Sequence, residues 1–200
     1  MGLSWGGNSE IVMGKILSKY PRNSFYLATK FPGYDLSNMT KVEEIFEKQL
    51  EKCQVDYFDF YLFHNVCEMN IDAYLDEKYK IFDYLIKQKK AGRIRHLGFS
   101  AHGSYDVMKR FLYTYGKDME FCQIQLNYLD WTFQDAKKKV DLLNEHCFTG
   151  GGFIAPMALM SVPEDKQPSA CIGCRSCEEV CPQQIKISES MADFVSKVGA

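Results

Sequence analysis

Residues Asp56–His64, with the sequence DYFDFYLFH, decide the fold of this chain. Six of the eight residues from Tyr57 to His64 are aromatic or aliphatic. A short and nearly unbroken apolar run is typical of a strand that is buried on both faces, as in a parallel sheet covered by helices. Since the run ends in a polar residue, it predicts a buried strand with His64 at its carboxyl end.

Three other segments repeat this design, an apolar run that finishes in a polar or titratable residue: Ser24–Lys30, Ile94–Ser100 and Phe121–Asn127. The four strands start about thirty residues apart with helical patterns between them, which predicts βα units and a parallel sheet.

Five helices are predicted from capping residues, apolar spacing and terminating glycine or proline residues. They cover approximately residues 9–20, 40–53, 71–91, 104–115 and 133–146. The first is expected to bury a stripe with helical spacing, formed by Met13, Ile16, Leu17 and Tyr20. Thr40 with Glu43 predicts a capping box at the start of the second helix.

Two architectures use βα units in number, the open doubly wound sheet and the closed (β/α)8 barrel. The doubly wound dinucleotide fold is typically marked by a G-x-G-x-x-G turn, and the sequence contains none. The polar strand ends favour the barrel, in which functional residues gather at the carboxyl ends of the strands. We therefore predict an α/β chain with a partial (β/α)8 TIM-type barrel of about four βα units and a small C-terminal segment.

The domain boundaries follow from a change of composition after the last helix. Residues 1–149 are assigned to the truncated barrel, 150–168 to a linker and 169–200 to the C-terminal segment. The linker combines glycines, a proline and a polar stretch, which is typical of a connection. At most one weak strand is expected there, within Phe153–Met160.

Charge and hydropathy exclude several kinds of partner. The net charge is −2, so the basic surface that nucleic acid requires is not expected. No apolar run reaches the length of a membrane span, and the first residues lack the pattern of a secretory leader. We expect a cytoplasmic chain without a nucleic-acid or membrane partner.

Four of the eight cysteines lie in one run, Cys171-x2-Cys174-x2-Cys177-x3-Cys181-Pro182. This spacing is that of bacterial iron–sulfur ferredoxins, and it predicts a [4Fe–4S] cluster. Structural zinc and redox-active thiols are the alternatives, although zinc sites tend to pair two C-x2-C units across a longer loop. The fourth cysteine of such a run binds the other cluster in two-cluster ferredoxins. Cys181 therefore either closes the single cluster or leaves a place for an outside ligand.

A second group of candidate residues stands at the four strand ends, namely Lys30, His64, Ser100 and Gln123. Taken singly, a lysine after a strand is usually a solvated charge, and a histidine is usually a hydrogen-bonded structural residue. In a barrel, however, successive strand ends face one pocket. A lysine there can stabilise developing negative charge, and a neutral imidazole can polarise a carbonyl group.

The sequence around these positions resembles the aldo-keto reductase family. The matching stretches are LATK at Leu27–Lys30, VDYFDFYLFH at Val55–His64, GRIRHLGFSAH at Gly92–His102 and FCQIQLNYLD at Phe121–Asp130. The cysteine run resembles the bacterial subgroup that carries a C-terminal 4Fe–4S ferredoxin-type segment. This resemblance implies a TIM barrel that reduces aldehydes and ketones with NADPH.

The resemblance also implies roles for single residues. Lys30 and His64 match two members of the family's Asp-Tyr-Lys-His catalytic set. Ser100 and Gln123 match residues that hold the nicotinamide carboxamide.

The chain departs from the family at both ends of the expected barrel. The strands that deliver the catalytic aspartate and tyrosine should precede Gly6–Glu10, and Ser4 or Trp5 falls where the tyrosine is expected. The strands whose loops hold the cofactor phosphates should begin near Phe148–Gly152, where no strand pattern is found. We therefore expect NADP(H) binding to be weak or lost and the activity to be impaired.

Three functions from different classes remain open. The first is an NAD(P)H-linked carbonyl reductase of aldo-keto reductase type that carries an iron–sulfur cluster and acts on a small carbonyl compound. The second is an electron-transfer or cluster-binding module on a non-catalytic barrel remnant, with a redox partner. The third is a scaffold held by zinc. Since four parallel strands cannot close, self-association into a homo-oligomer is expected as well.

Overall fold

The computed structural model describes residues 8–125, 133–146, 163–181 and 186–198. The chain divides into two units, Met1–Cys147 and Phe148–Ala200.

The first unit is built on a four-stranded parallel sheet in the order β1-β2-β3-β4. The strands are β1 (Ala28–Phe31), β2 (Phe58–Val66), β3 (Ile94–Ala101) and β4 (Phe121–Ile124). Sequential parallel strands that lie side by side, with helices between them, are the units of a (β/α)8 barrel. The prediction of an α/β partial barrel is therefore confirmed.

Helices connect and cover these strands. In the first unit they are α1 (Asn8–Leu17), α2 (Val42–Cys53), α3 (Ile71–Leu75), α4 (Ile81–Lys90), α5 (Tyr105–Tyr115) and α6 (Ala136–His146). In the second unit they are α7 (Ser176–Glu179) and α8 (Ile187–Val198). No helix in the described part of the chain has the length and apolar content that crossing a membrane requires.

The sheet has one covered face and one open face. Side chains alternate between the faces of a strand, and those on the covered face form the core with the helices. Five of them expose no surface: Phe31, Tyr61, Phe63, Leu97 and Phe99. The open face includes half-buried and exposed side chains, among them Lys30, Phe60, His64, His96 and Gln123. In a closed barrel this open face would point to the interior.

Asp59 is the one charged residue in the apolar run of β2, and it is buried. Its Oδ2 accepts hydrogen bonds from Arg22 Nη2 at 2.6 Å and from the Leu27 N–H at 2.9 Å. Its Oδ1 accepts from Arg95 Nη1 at 3.0 Å. Both guanidinium groups lie over the Tyr57 ring, about 4 Å from its centre. A buried carboxylate is tolerated when it is paired in this way, so this network fixes the amino ends of β1, β2 and β3.

The predicted burial of the stripe on the first helix is wrong. Leu17 packs against the core, whereas Met13, Ile16 and Tyr20 are between 39% and 60% exposed. The helix approaches α2 through Gly14, where a Cβ would lie 2.2 Å from the carbonyl oxygen of Lys52. This close approach of the two backbones sets the orientation of α1 and turns the stripe outward.

The predicted capping box of the second helix is also wrong. Thr40 lies inside a short 3-10 helix, Leu36–Lys41, and α2 begins after it without a side-chain cap. Asp35 caps the 3-10 helix by accepting the Ser37 N–H at 2.9 Å. The 3-10 helix therefore starts four residues before Thr40, and the backbone is already helical where the box was expected.

The predicted third helix is divided in two. The segment from α3 to α4 contains a 3-10 turn, Glu77–Tyr79, followed by Lys80 with a φ of 52°. A left-handed residue ends one helical segment before the next begins. The apolar spacing continues across the break, which is why the sequence pattern does not reveal it.

Strand boundaries differ from the predicted ones mainly in β1 and β4. Residues Arg22–Ser24 form a 3-10 turn, and β1 begins only at Ala28. The described part of β4 ends at Ile124, and the predicted end at Asn127 lies outside the described residues. The linker and its weak strand at Phe153–Met160 lie outside them as well.

We expect the chain to self-associate through its sheet edges. In the described residues, β1 pairs only with β2 and β4 pairs only with β3, so each edge could accept a further strand. Sedimentation velocity should show a mass that rises with protein concentration. Ala28→Lys adds a charge on the edge strand and should reduce association. The control Thr114→Lys adds the same charge at an exposed position of α5 and should not. A monodisperse, highly stable monomer at all concentrations would contradict this expectation.

Candidate functional site

The four predicted strand-end residues lie at one end of the sheet, on its open face. Lys30 is on β1, His64 on β2, Ser100 on β3 and Gln123 on β4. Lys30 Nζ donates a hydrogen bond to Gln123 Oε1 at 2.5 Å, although β2 and β3 separate their strands. The sheet is therefore curved enough for side chains from its two edge strands to meet above the strands between them.

A buried polar network holds the backbone of Lys30. Gln49, on α2, donates from Nε2 to the Lys30 carbonyl oxygen at 3.0 Å. The same amide donates to Glu10 Oε1 at 3.0 Å and accepts from Tyr61 Oη at 2.6 Å. Because each polar atom of Gln49 has a partner, the carboxyl end of β1 is rigidly placed. The ammonium group itself is partly buried, and this burial lowers the pKa of Lys30 below its usual value.

His64 is held as a neutral imidazole. Burial, and then the nearby positive charges of Lys30 and His102, lower the pKa of His64 to about 4. Its backbone carbonyl accepts a hydrogen bond from Tyr74 Oη at 2.8 Å, whereas no described residue forms a hydrogen bond with its buried Nδ1. Since no acceptor among these residues holds a proton on Nδ1, the arrangement favours the tautomer with its proton on Nε2.

Ser100 is at the expected strand end but is fully buried. Its Oγ accepts the backbone N–H of Asn65 at 2.8 Å. Asn65 has a φ of 58° and lies where the register between β2 and β3 shifts. Ser100 therefore stabilises the irregular end of β2, and its hydroxyl hydrogen remains able to donate a further bond.

Two side chains near His64 do not follow from the sequence prediction. The ring of Tyr34 lies 5.5 Å from the His64 ring, and the ring of His102 lies 6.4 Å from it, both nearly perpendicular to it. His102 is not among the strand-end residues predicted from the sequence. His102 lies two residues after Ser100, just past the end of β3. A polar residue at a strand end is the pattern that marked the other candidates, so it could have identified His102 as well.

The neutral state of His64 makes stability depend on pH. Below pH 6.5 the unfolded chain takes up a proton at this histidine, whereas the folded chain does not until about pH 4. The unfolded state thus binds more protons, so His64 contributes stability that is lost as the pH falls through this window. Denaturant unfolding at a series of pH values should show a shallower decline for His64→Gln. A His64 resonance that titrates near pH 6.5 would contradict the expectation.

The second candidate site is the cysteine run of the second unit. Cys171, Cys174 and Cys177 are exposed and Cys181 is half-buried, and all four are free thiols. Positive φ angles at Gly173 (68°) and Arg175 (62°) bend the loop between the first three. Bonds from the Ser176 N–H and hydroxyl lower the pKa of Cys174 below its usual value.

The donor set of this segment fits an iron–sulfur cluster better than a preformed metal cage. Four accessible thiols on a tightly turned loop are the ligands that a cluster requires. Within the described residues, however, no three Cys, His, Asp or Glu side chains are grouped so that they could hold a single metal ion. The thiol side chains would therefore have to turn inward when a cluster assembles.

Comparisons with known protein families agree with both parts of the chain. Residues 5–162 match the sequence model of the aldo/keto reductase family. Residues 165–186 match that of the 4Fe-4S binding domain. A comparison with curated proteins returns no match.

Solved structures of aldo-keto reductases resemble the chain over part of their length. One from Brucella melitensis is 25% identical with a TM-score of 0.54, and the match covers 68% of this chain and 50% of that one. The holo form of one from Bacillus halodurans is 27% identical with a TM-score of 0.53, covering 69% and 43%. An aldose reductase from Giardia lamblia, 20% identical over 70% and 52% with a TM-score of 0.50, shares the fold. The chain thus spans about half the length of these proteins.

Proposed function

Because the chain belongs to the aldo/keto reductase family, we propose that its first unit provides the nicotinamide- and carbonyl-facing part of an NAD(P)H-linked reductase site. The observation that carries this proposal is the meeting of Lys30 and Gln123 above the sheet, beside the neutral imidazole of His64. Lys30, His64 and Gln123 are three of the four predicted strand-end residues, and Ser100 is the fourth.

Each group has a chemical task in carbonyl reduction. A bound reduced nicotinamide supplies the hydride that adds to the carbonyl carbon, and a proton must reach the carbonyl oxygen to complete the alcohol. His64 donates a hydrogen bond from Nε2 to that oxygen and polarises the carbonyl group. The ammonium group of Lys30 stabilises the negative charge that develops on the oxygen. Burial of both groups strengthens these interactions because the local dielectric is low.

Gln123 and Ser100 are the groups of this chain that suit the carboxamide of a nicotinamide. The Gln123 amide is exposed and can both donate and accept. Ser100 is fully buried and its oxygen already accepts from Asn65, so its hydroxyl could donate to the carboxamide only if the end of β3 became exposed. A carboxamide that took the place of Lys30 on Gln123 Oε1 would release the lysine toward the substrate.

We propose that turnover is low, because no tyrosine or carboxylate among the described residues is bonded to Lys30 Nζ. The ammonium group donates to the neutral amide of Gln123, and no ion pair in the described part of the chain joins Lys30 to a carboxylate. The family's catalytic set pairs this lysine with an aspartate and a tyrosine. The position that corresponds to the tyrosine holds Ser4 or Trp5, outside the described residues.

For the second unit we propose that Cys171, Cys174, Cys177 and Cys181 bind one [4Fe–4S] cluster. Such a cluster supplies one-electron transfer when it is bound. The free thiols and the cluster spacing suit a reducing compartment, so we propose a cytoplasmic location. The partners would be a small carbonyl compound for the first unit and an electron-transfer protein for the second.

A second candidate function is an electron-transfer or cluster-binding module on a non-catalytic barrel. It is favoured by the match of residues 165–186 to the 4Fe-4S binding domain and by the four free thiols of the cysteine run, which this function needs without any use of Lys30 or Gln123. The two candidates differ in whether the chain binds a nicotinamide nucleotide.

Nucleotide titration tests the proposed function. NADPH should bind the purified chain weakly, as measured by calorimetry, and Gln123→Leu should weaken binding about tenfold, since one hydrogen bond contributes about 0.5–1.5 kcal/mol. The matched control is Asn144→Leu, which removes an exposed amide on α6 and should leave the affinity unchanged. Equal affinities for both variants and the parent, or no detectable binding, would favour the cluster-binding module.

A further inference from the structure

Lys139 is a buried lysine whose position the proposed reaction does not yet explain. It is 5% exposed and lies on α6, near the buried residues Ala136, Leu142 and Leu143. Its Nζ donates a hydrogen bond of 2.7 Å to the carbonyl oxygen of Gly103. No carboxylate among the described residues forms an ion pair with it. A buried cation is unfavourable unless it is bonded or paired, and here the bond to Gly103 and the nearby charge of Glu68 stabilise the ammonium group.

The carbonyl that Lys139 binds belongs to the turn between β3 and α5. The N–H groups of His102 and Gly103 both donate to the Val66 carbonyl oxygen, at 3.0 and 2.9 Å. Gly103 is packed so closely that a Cβ there would lie 2.9 Å from the Cα of Cys67. The turn is thus fixed by the end of β2 on one side and by Lys139 on the other.

This turn carries the second histidine of the strand-end cluster. The His102 ring stands nearly perpendicular to the His64 ring with 6.4 Å between their centres. The charged groups that act on His102 are Lys30 from β1 and Lys139 from α6, and His102 in turn acts on His64. Glu68, whose Oε1 accepts the N–H that follows Gly103, is the nearby acid, and Lys139 acts on it as well.

We propose that Lys139 is a positioning residue of the reductase site: it fixes the His102–Gly103 turn and so holds the His102 imidazole beside His64, facing the carbonyl substrate. The role of His102 in catalysis rests on the proposed function. The effect of Lys139 on the position of His102 can be measured without turnover. Burial and the charges of Lys30 and Lys139 lower the pKa of His102, so the lysine would keep this second imidazole neutral as well as in place.

Histidine NMR on the whole chain tests the proposal. In the parent, ring protons of His64 and His102 should show a cross-relaxation contact. The pKa of His102 should lie below its ordinary value. Lys139→Met should remove the contact between the two rings and raise the pKa of His102. Lys137→Met, which removes an exposed lysine of the same helix, should change neither. A folded Lys139→Met chain that keeps both signals unchanged would overturn the proposal.

A second variant separates position from charge. The glutamine of Lys139→Gln can still donate to the Gly103 carbonyl oxygen but is uncharged. This variant should keep the contact between the two rings and raise the pKa of His102. Loss of the contact in this variant with an unchanged titration would contradict the proposal. If neither variant folds, the parent decides: slow exchange of the Lys139 ammonium protons with water supports the buried bond, and fast exchange overturns it. None of these results depends on nucleotide binding, so failure here is distinct from failure of the proposed function.

Discussion

Replacing Cys174 with serine is expected to abolish the iron–sulfur cluster. Anaerobic reconstitution of the parent should give a broad brown absorbance that dithionite bleaches, with iron and acid-labile sulfide in similar amounts. The thiolate is the form that binds iron, and the bonds from Ser176 lower the pKa of Cys174. Serine offers a far more basic oxygen in its place, so the variant should retain little iron and little colour.

The matched control for this substitution is Cys53→Ser. Cys53 is buried in the core of the first unit, and burial raises its pKa to about 12, so it stays protonated and cannot act as a ligand. The control should therefore keep its full iron content, although some stability is lost. Stoichiometric zinc without acid-labile sulfide in the parent would contradict the prediction and favour the zinc scaffold.

The second large effect concerns turnover. We expect the 200-residue chain to oxidise NADPH with simple aldehydes at a rate near background. Hydride addition needs a proton donor beside the developing alkoxide, and the loss of a general acid typically lowers the rate by about 10²–10⁴-fold. The family's donor is a tyrosine, with a pKa near 10 when unperturbed, assisted by the lysine that Lys30 matches. His64, kept neutral by its lowered pKa, is a weak acid when it acts alone.

The control for this prediction adds an aspartate and a tyrosine from a complete family member. Grafting the strands that carry the aspartate and tyrosine of a complete family member onto the N-terminus should raise turnover. Lys30→Met or His64→Ala should then lower it again. Robust turnover by the unmodified chain that is lost in either variant would contradict the expectation, and it would mean that another residue supplies the proton.

The sheet could be predicted from the sequence because its pattern is local. Each strand is a short apolar run with a polar end, and Phe58–Val66 and Ile94–Ala101 differ from the predicted ranges by only one or two residues. The parallel arrangement of successive strands then brings Lys30 and Gln123 to one end of the sheet. Their direct contact, by contrast, depends on the curvature of the sheet, which no local pattern encodes.

The helices show where sequence patterns fail. The stripe on α1 has the spacing of a buried face, yet the contact of Gly14 with the α2 backbone determines which side is covered. Lys80 breaks the third helix through a left-handed conformation that its residue type does not predict. Both features follow from tertiary packing, which overrides the local preference.

The site shows a similar division between what was predicted and what was not. Strand ends gave four candidate positions, but they did not distinguish the open Gln123 from the buried Ser100. His102 and Tyr34 lie in loops, whose conformations place them beside His64. The buried bond of Lys139 joins residues far apart in sequence, and no motif marks it.

The central claim is that the strand-end cluster forms a nicotinamide and carbonyl site. The most direct test is to titrate NADPH into isotopically labelled chain and to map the shifted NMR resonances. We expect the largest changes at Lys30, His64 and Gln123, with the His64 ring among them, and little change in the helices on the covered side of the sheet. Changes confined to residues 163–181, or no change at millimolar NADPH, would contradict the claim.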